Sequence, residues 1–105
     1  MVRAAAAILM HLLATPVVSE TIDVGRRSVD LNQFECRDIT RSSILQRVCY
    51  DRAQRHLIVA VKGAWDQYCD LPAETYGALM GAPSMGQFFN RNIRAAPGNP
   101  YACRN

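Results

Sequence analysis

Residues 43–71 read SILQRVCYDRAQRHLIVAVKGAWDQYCDL, and their two-residue rhythm decides the fold. From Ser43 to Asp51, Ile44, Val48 and Tyr50 share one parity and Leu45, Arg47 and Cys49 the other, the pattern of a strand. Arg52 to Arg55 is a polar turn. His56 to Lys62 is rich in β-formers, with Leu57, Val59 and Val61 on one face and His56, Ile58, Ala60 and Lys62 on the other. Gly63-Ala64 turns the chain, and Trp65 to Leu71 is a third, weaker strand that carries Cys69. Connections this short predict an antiparallel meander.

Beyond Leu71 the period changes. Pro72 to Met80 places Ala73, Tyr76, Leu79 and Met80 on one helical face, with Pro72 in the first turn and Asp70 as cap. Gly81-Ala82-Pro83 stops this helix. Ser84-Met85-Gly86-Gln87 is a capping box that opens a second helix, Met85 to Arg94, burying Met85, Phe88, Phe89 and Ile93. The expected fold is α+β: a three-stranded antiparallel meander with two helices packed on one face. Residues 96–105 form an irregular C-terminal tail. Upstream, residues 20–40 have no helical period. Thr21 to Val24 and Ser28 to Leu31 look extended, and the segment reads as an N-terminal arm with room for one edge strand.

Residues 1–19 read as a signal peptide. Arg3 is the positive start, Ala4 to Ala14 is apolar, and Val17 and Ser19 suit cleavage after Ser19. The apolar run is far shorter than the roughly 18–20 residues that span a bilayer. A periplasmic or secreted protein with no stable membrane anchor is expected. Cys36, Cys49, Cys69 and Cys103 are an even set in an exported chain, which suits two disulfides. In a meander Cys49 and Cys69 would lie two strands apart, about 9–10 Å, beyond the about 7 Å that a disulfide tolerates. Cys36–Cys49 with Cys69–Cys103 is slightly preferred over Cys36–Cys69 with Cys49–Cys103.

Charge excludes little. Loss of Arg3 lowers the formal net charge from +3, which is too small to argue for nucleic acid or an anionic membrane. Its distribution says more. No acidic residue follows Glu74, whereas Arg91, Arg94 and Arg104 do, and arginine suits bidentate capture of carboxylate or phosphate.

Ser42-Ser43, Val48-x-Tyr50-Asp51, Leu57-x-Val59, Gly63, Tyr68-x-x-Leu71-Pro72, Tyr76, Leu79 and Ala82-x-Ser84-x-Gly86-x-x-Phe89-Asn90-x-x-Ile93-Arg94 together resemble the KTSC domain. That family is named from the C-terminus of some lysyl-tRNA synthetases and also occurs as a stand-alone bacterial protein. The resemblance runs from about Arg41 to Arg94, and residues 41–95 are taken as the KTSC-like domain. It implies no established activity, and RNA binding as a role suggested by the fusion partner. The family's Tyr-x-Tyr pattern is half present: Tyr68 fits its second position, and Asp66 stands at the first.

The candidate chemistry is sparse. The cysteine spacing has no Cys-x-x-Cys pair and His56 is the one histidine after Ser19, so neither a metal nor any other cofactor is expected. Ser42, Ser43 and Ser84 lack a Gly-x-Ser-x-Gly setting, and Asp51, Asp70 and Glu74 suit turns and caps, so no catalytic residue is assigned. Ser84, Gly86, Asn90, Arg91 and Arg94 line the start and wet face of the second helix. With Tyr68 they form the candidate ligand-binding set. The ordinary explanation of Gly86, close packing of the helix start on the sheet, is preferred to a ligand role. The expected function is that of an exported, disulfide-stapled, non-catalytic binding module for a protein or an anionic polymer. The alternatives are an RNA-binding domain and a small cell-envelope hydrolase.

Overall fold

A computed structural model describes residues 20–104. The expected signal peptide lies outside the described residues. Thr21–Val24 (β1) and Arg27–Asp30 (β2) form a two-stranded hairpin, followed by a short 3₁₀ turn. Glu35–Asp38 (β3), Leu45–Asp51 (β4), His56–Val61 (β5) and Ala64–Tyr68 (β6) form a second sheet, ordered β3-β4-β5-β6 and antiparallel throughout. Two helices follow, Ala73–Gly81 (α1) and Met85–Phe89 (α2). The α2 segment runs on into a π-helical turn, Asn90–Arg94. The fold is therefore α+β, and among the described residues no helix is long and apolar enough to cross a membrane.

The turns follow from local chemistry. Lys62 and Gly63 both adopt positive φ, 51° and 85°, which matches a tight two-residue hairpin to the twist of β5 and β6. Asp51 is buried, and its Oδ1 accepts from the N–H groups of Ala53 and Gln54 to close the β4–β5 turn. Between Leu45 and Arg47 the register of β4 against β5 slips. This bulge lets Leu45 face the same side as Val48 and Tyr50, where simple alternation assigns Leu45 to the other face.

The helical layer covers one face. Leu45, Val48, Tyr50, Leu57, Val59 and Tyr68 meet Leu71, Tyr76, Leu79, Met85, Phe89 and Ile93 in one core. Tyr50 and Tyr76 stack with ring centroids 4.3 Å apart, and the Tyr50 hydroxyl donates to the Leu71 carbonyl at 2.6 Å. On the opposite face Ile22, Val24 and Leu31 pack on Cys49 and Ile58, with Phe34, Cys36 and Trp65 at the margin. The sheet is thus sandwiched between a hairpin and a pair of helices.

Several expectations need correction. The meander has four strands, because β3 pairs along β4. Residues 20–40 are not an arm but a hairpin with its own core, plus that edge strand. The sequence of β3, ECRD, has no alternation because an edge strand can carry charge outward and still pair its backbone. Cys69 lies just past β6, not within it. Pro72 is the cap residue of α1, and Asp70 stands outside with φ 56°. The lysine–glycine pair, not Gly63-Ala64, makes the β5–β6 turn.

The slightly preferred cysteine pairing is the one observed. Cys36 and Cys49 are directly opposite in the β3–β4 register, with Cα atoms 4.0 Å apart. Cys69 pairs with Cys103 of the tail, with Cα atoms 4.9 Å apart.

Candidate functional site

The segment before β4 and the start of α2 meet at one end of the sheet. Ser42 Oγ accepts from the N–H groups of Ile44 and Leu45 at 3.1 and 3.0 Å, which fixes the bend into β4. Ser84 Oγ accepts from the Gln87 N–H at 3.3 Å and caps α2 as the capping-box pattern expects. A hydroxyl that accepts from the backbone still has its own O–H to donate. The two serines therefore serve the fold and leave donors toward the space between them.

That space is a depression of about 350 Å³ lined by Ser42, Ser43, Ser84, Gly86, Gln87 and Asn90, among others. Gly86 is buried, and a methyl group there would lie 3.0 Å from Ile44 Cδ1 and 3.6 Å from Ser42 Oγ. Its lack of a side chain is what lets α2 approach the β4 entrance, the structural role expected for it. Arg41 stands at the rim. Its guanidinium donates to the carbonyls of Ala82 and Met80 at 2.8 and 2.7 Å, holding the end of α1.

The other candidates divide around this groove. Arg91 is exposed and lines a second hollow of about 260 Å³ with Pro83, Phe88 and Asn92. Ser84 and Gln87 are common to both hollows. Arg94 folds over the Phe89 ring, 5.9 Å from its centroid, and donates to Asn90 Oδ1 at 3.2 Å. Tyr68 does not reach either hollow. It is buried against Phe89, and its hydroxyl donates to Asp66 Oδ2 at 2.9 Å. Burial first, and the Asp66 carboxylate second, push its phenol far above the usual tyrosine range. Ser84, Gly86 and Asn90 thus converge, Arg91 and Arg94 flank them, and Tyr68 belongs to the core.

Sequence reading passed over Arg41, Ser42 and Ser43 as groove residues. The available signal was the Arg-Ser-Ser run immediately before a strong strand, a place where hydroxyls take local backbone N–H groups. The residues weighed for hydrolysis remain apart. His56 Nε2 lies 2.9 Å from Gln67 Oε1, and the ring packs edge-on against Phe34, while Ser42 and Ser84 are engaged at the helix end.

These features define a small α+β domain, a sheet backed by a hairpin and faced by two helices, with a shallow polar groove at the start of its second helix. The chain belongs to the KTSC domain family, whose model matches residues 41–96. It is similar to the crystal structure of a KTSC domain protein from Yersinia pestis, with 25% sequence identity and a TM-score of 0.58. That similarity covers 68% of this chain and 94% of the Yersinia chain. No curated protein matches. The hairpin, β3 and the end of the tail lie outside the matched residues, so each disulfide joins one cysteine inside the match to one outside it.

Proposed function

We propose that this chain is an exported, disulfide-stapled, non-catalytic member of the KTSC family that binds a protein or polymer through anionic groups. The observation that carries the reading is the groove between the β4 entrance and α2. Ser42 and Ser84 present hydroxyl donors there, Arg41 stands at its rim, and further positive charge comes from Arg91 in the adjoining hollow and from Arg94, which donates to Asn90. Ionised carboxylate and phosphate oxygens accept hydrogen bonds and donate none, so hydroxyl donors and guanidinium groups suit them. Two of the acids that a hydrolase could use have structural partners: Asp51 closes a turn and Asp66 accepts from Tyr68. Two disulfides are compatible with the oxidising compartment that the leader implies.

Crosslinking pull-down from the periplasm or culture medium tests the reading, with Arg91→Glu/Arg94→Glu as the comparison. The variant should lose the anionic species that the parent retains, while its circular dichroism is unchanged. Retention of every captured species by the variant overturns the proposed surface. Intact mass of the exported protein tests the leader: the mature chain should begin at Glu20, and a species starting at Met1 would sink that part.

A further inference from the structure

At the far end of β5 and β6 three chemistry-bearing residues arrive from separate parts of the chain. His56 begins β5, Cys69 follows β6, and Cys103 comes from the tail. One ligand-capable atom from each lies within 4.8 Å of the other two, and all three residues are half-buried. Among the described residues this is the one group of three or more His, Cys, Asp or Glu side chains so placed.

In the oxidised protein the two sulfurs are bonded to each other. A dithiol reductant would supply two electrons and two protons, breaking the S–S bond to give two thiols and itself becoming a disulfide. The tail does not depend on that bond alone for its position. The Cys69 N–H donates to the Tyr101 carbonyl at 2.8 Å, and Tyr101 packs against the helix-side core. Cys103 is two residues beyond this anchor, which limits how far its thiol could move from Cys69 and His56 once the bond is reduced. Gln67 Oε1 lies 2.9 Å from His56 Nε2, a contact that suits the tautomer with the proton on Nε2 and Nδ1 open to a metal. An outer acceptor of this kind orients metal-binding histidines. The Phe34 ring, with its centroid 5.3 Å from that of His56, shields the imidazole on one side. The other disulfide has no such neighbour: Cys49 is fully buried beneath the hairpin.

We infer that reduction of Cys69–Cys103 converts this corner into a Cys₂His site for a soft d¹⁰ cation, Zn(II) or Cu(I). Two thiolates and an imidazole are the donor set both ions favour. Cu(I) would be satisfied by the three, whereas Zn(II) would add a fourth ligand from solvent. Binding releases the two thiol protons to solvent. The disulfide then acts as a redox gate on the metal site.

The test uses the full chain, reduced with a phosphine, freed of reductant without air, and titrated with Zn(II) or Cu(I) against a chromophoric chelator. The reduced protein should hold one equivalent of at least one ion, and the oxidised protein none. Cys69→Ser/Cys103→Ser should remove this binding although the Cys36 and Cys49 thiols are still available. His56→Ala should weaken it by roughly tenfold or more. Cobalt(II) provides a spectroscopic measure, because a thiolate-to-cobalt absorption band should appear with the reduced parent. If the double variant fails to fold, His56→Ala and the cobalt band decide the matter. Unchanged affinity in His56→Ala, absence of the band, or binding by the reduced parent no tighter than by the serine variant overturns the proposal.

Discussion

Replacing Tyr50 by Phe isolates one buried hydrogen bond. The Tyr50 ring is fully buried, and its hydroxyl donates to the Leu71 carbonyl at 2.6 Å just before α1 begins. Phe keeps the stack on Tyr76 and nearly all the volume, so little cavity forms. What is lost is the donor, leaving a buried carbonyl without its partner, which costs about 1–3 kcal/mol. In a domain of this size each kcal/mol moves the melting temperature by roughly 4–8 °C, so a fall of roughly 4–24 °C is expected. Thermal unfolding followed by far-ultraviolet circular dichroism, without reductant, measures it. A variant melting within about 2 °C of the parent refutes the claim that this bond fastens the helical layer to β4. The same contact has an alkaline signature. Burial raises the Tyr50 phenol above its ordinary 10.0, outweighing the nearby arginines. Its contribution is fully present below that value and is lost as pH rises toward the raised folded one. Tyr50→Phe should therefore lose less stability than the parent over that interval.

Other substitutions probe the remaining layers. Ile22→Ala should cost about 2–4 kcal/mol in chemical denaturation, because Ile22 belongs to the hairpin-side core; a cost near zero would make the hairpin the loose arm after all. Arg41→Ala removes two charge-assisted bonds from the end of α1, and partial exposure limits the loss to about 1 kcal/mol, read from the denaturation midpoint. Glu20 is held below its ordinary 4.5 chiefly by the hydrogen bond from Arg47; desolvation opposes this, and the Arg47 charge adds a smaller lowering. A lowered folded pKa means stability present above the unfolded value and lost as pH falls through the folded one. Glu20→Gln should accordingly flatten the acid limb of the stability profile at low salt, and an unchanged limb would show that the pair contributes nothing.

The helix-facing half of the molecule was legible because its strands obey period two and its helices period 3.6. Leu57, Val59 and Val61 point to one side as read, and Tyr50 and Tyr76 join them in the core. The hairpin-facing half was harder. Cys49, Ile58 and Trp65 already marked an apolar second face that needed a cover. Ile22, Val24 and Leu31 were the available apolar residues upstream, but the first two sit on a four-residue strand and the third on a 3₁₀ turn, too short to advertise a docking partner. Nothing in the spacing betrays the bulge near Gln46, which moves Leu45 across the sheet. At the candidate site the cap and the close-packed glycine were readable from local pattern. The convergence of Ser42 and Ser43 with them, and of His56 with Cys69 and Cys103, depends on long-range closure that no local window contains. Tyr68 was misplaced for the opposite reason: an aromatic with a polar tip suits either a surface or a core that offers an acceptor, and Asp66 offers one.

The Cys69–Cys103 bond has a topological consequence. Both helices lie between these cysteines, which are 34 positions apart, so the entire helical layer is part of one covalent ring closed on the edge of the sheet. A protease that cut the Gly81–Pro83 connection would open the ring without dividing the molecule. The piece bearing α2 would remain tethered at Cys103 and could return to its place by an intramolecular search. A domain closed in this way can be broken once and keep its parts.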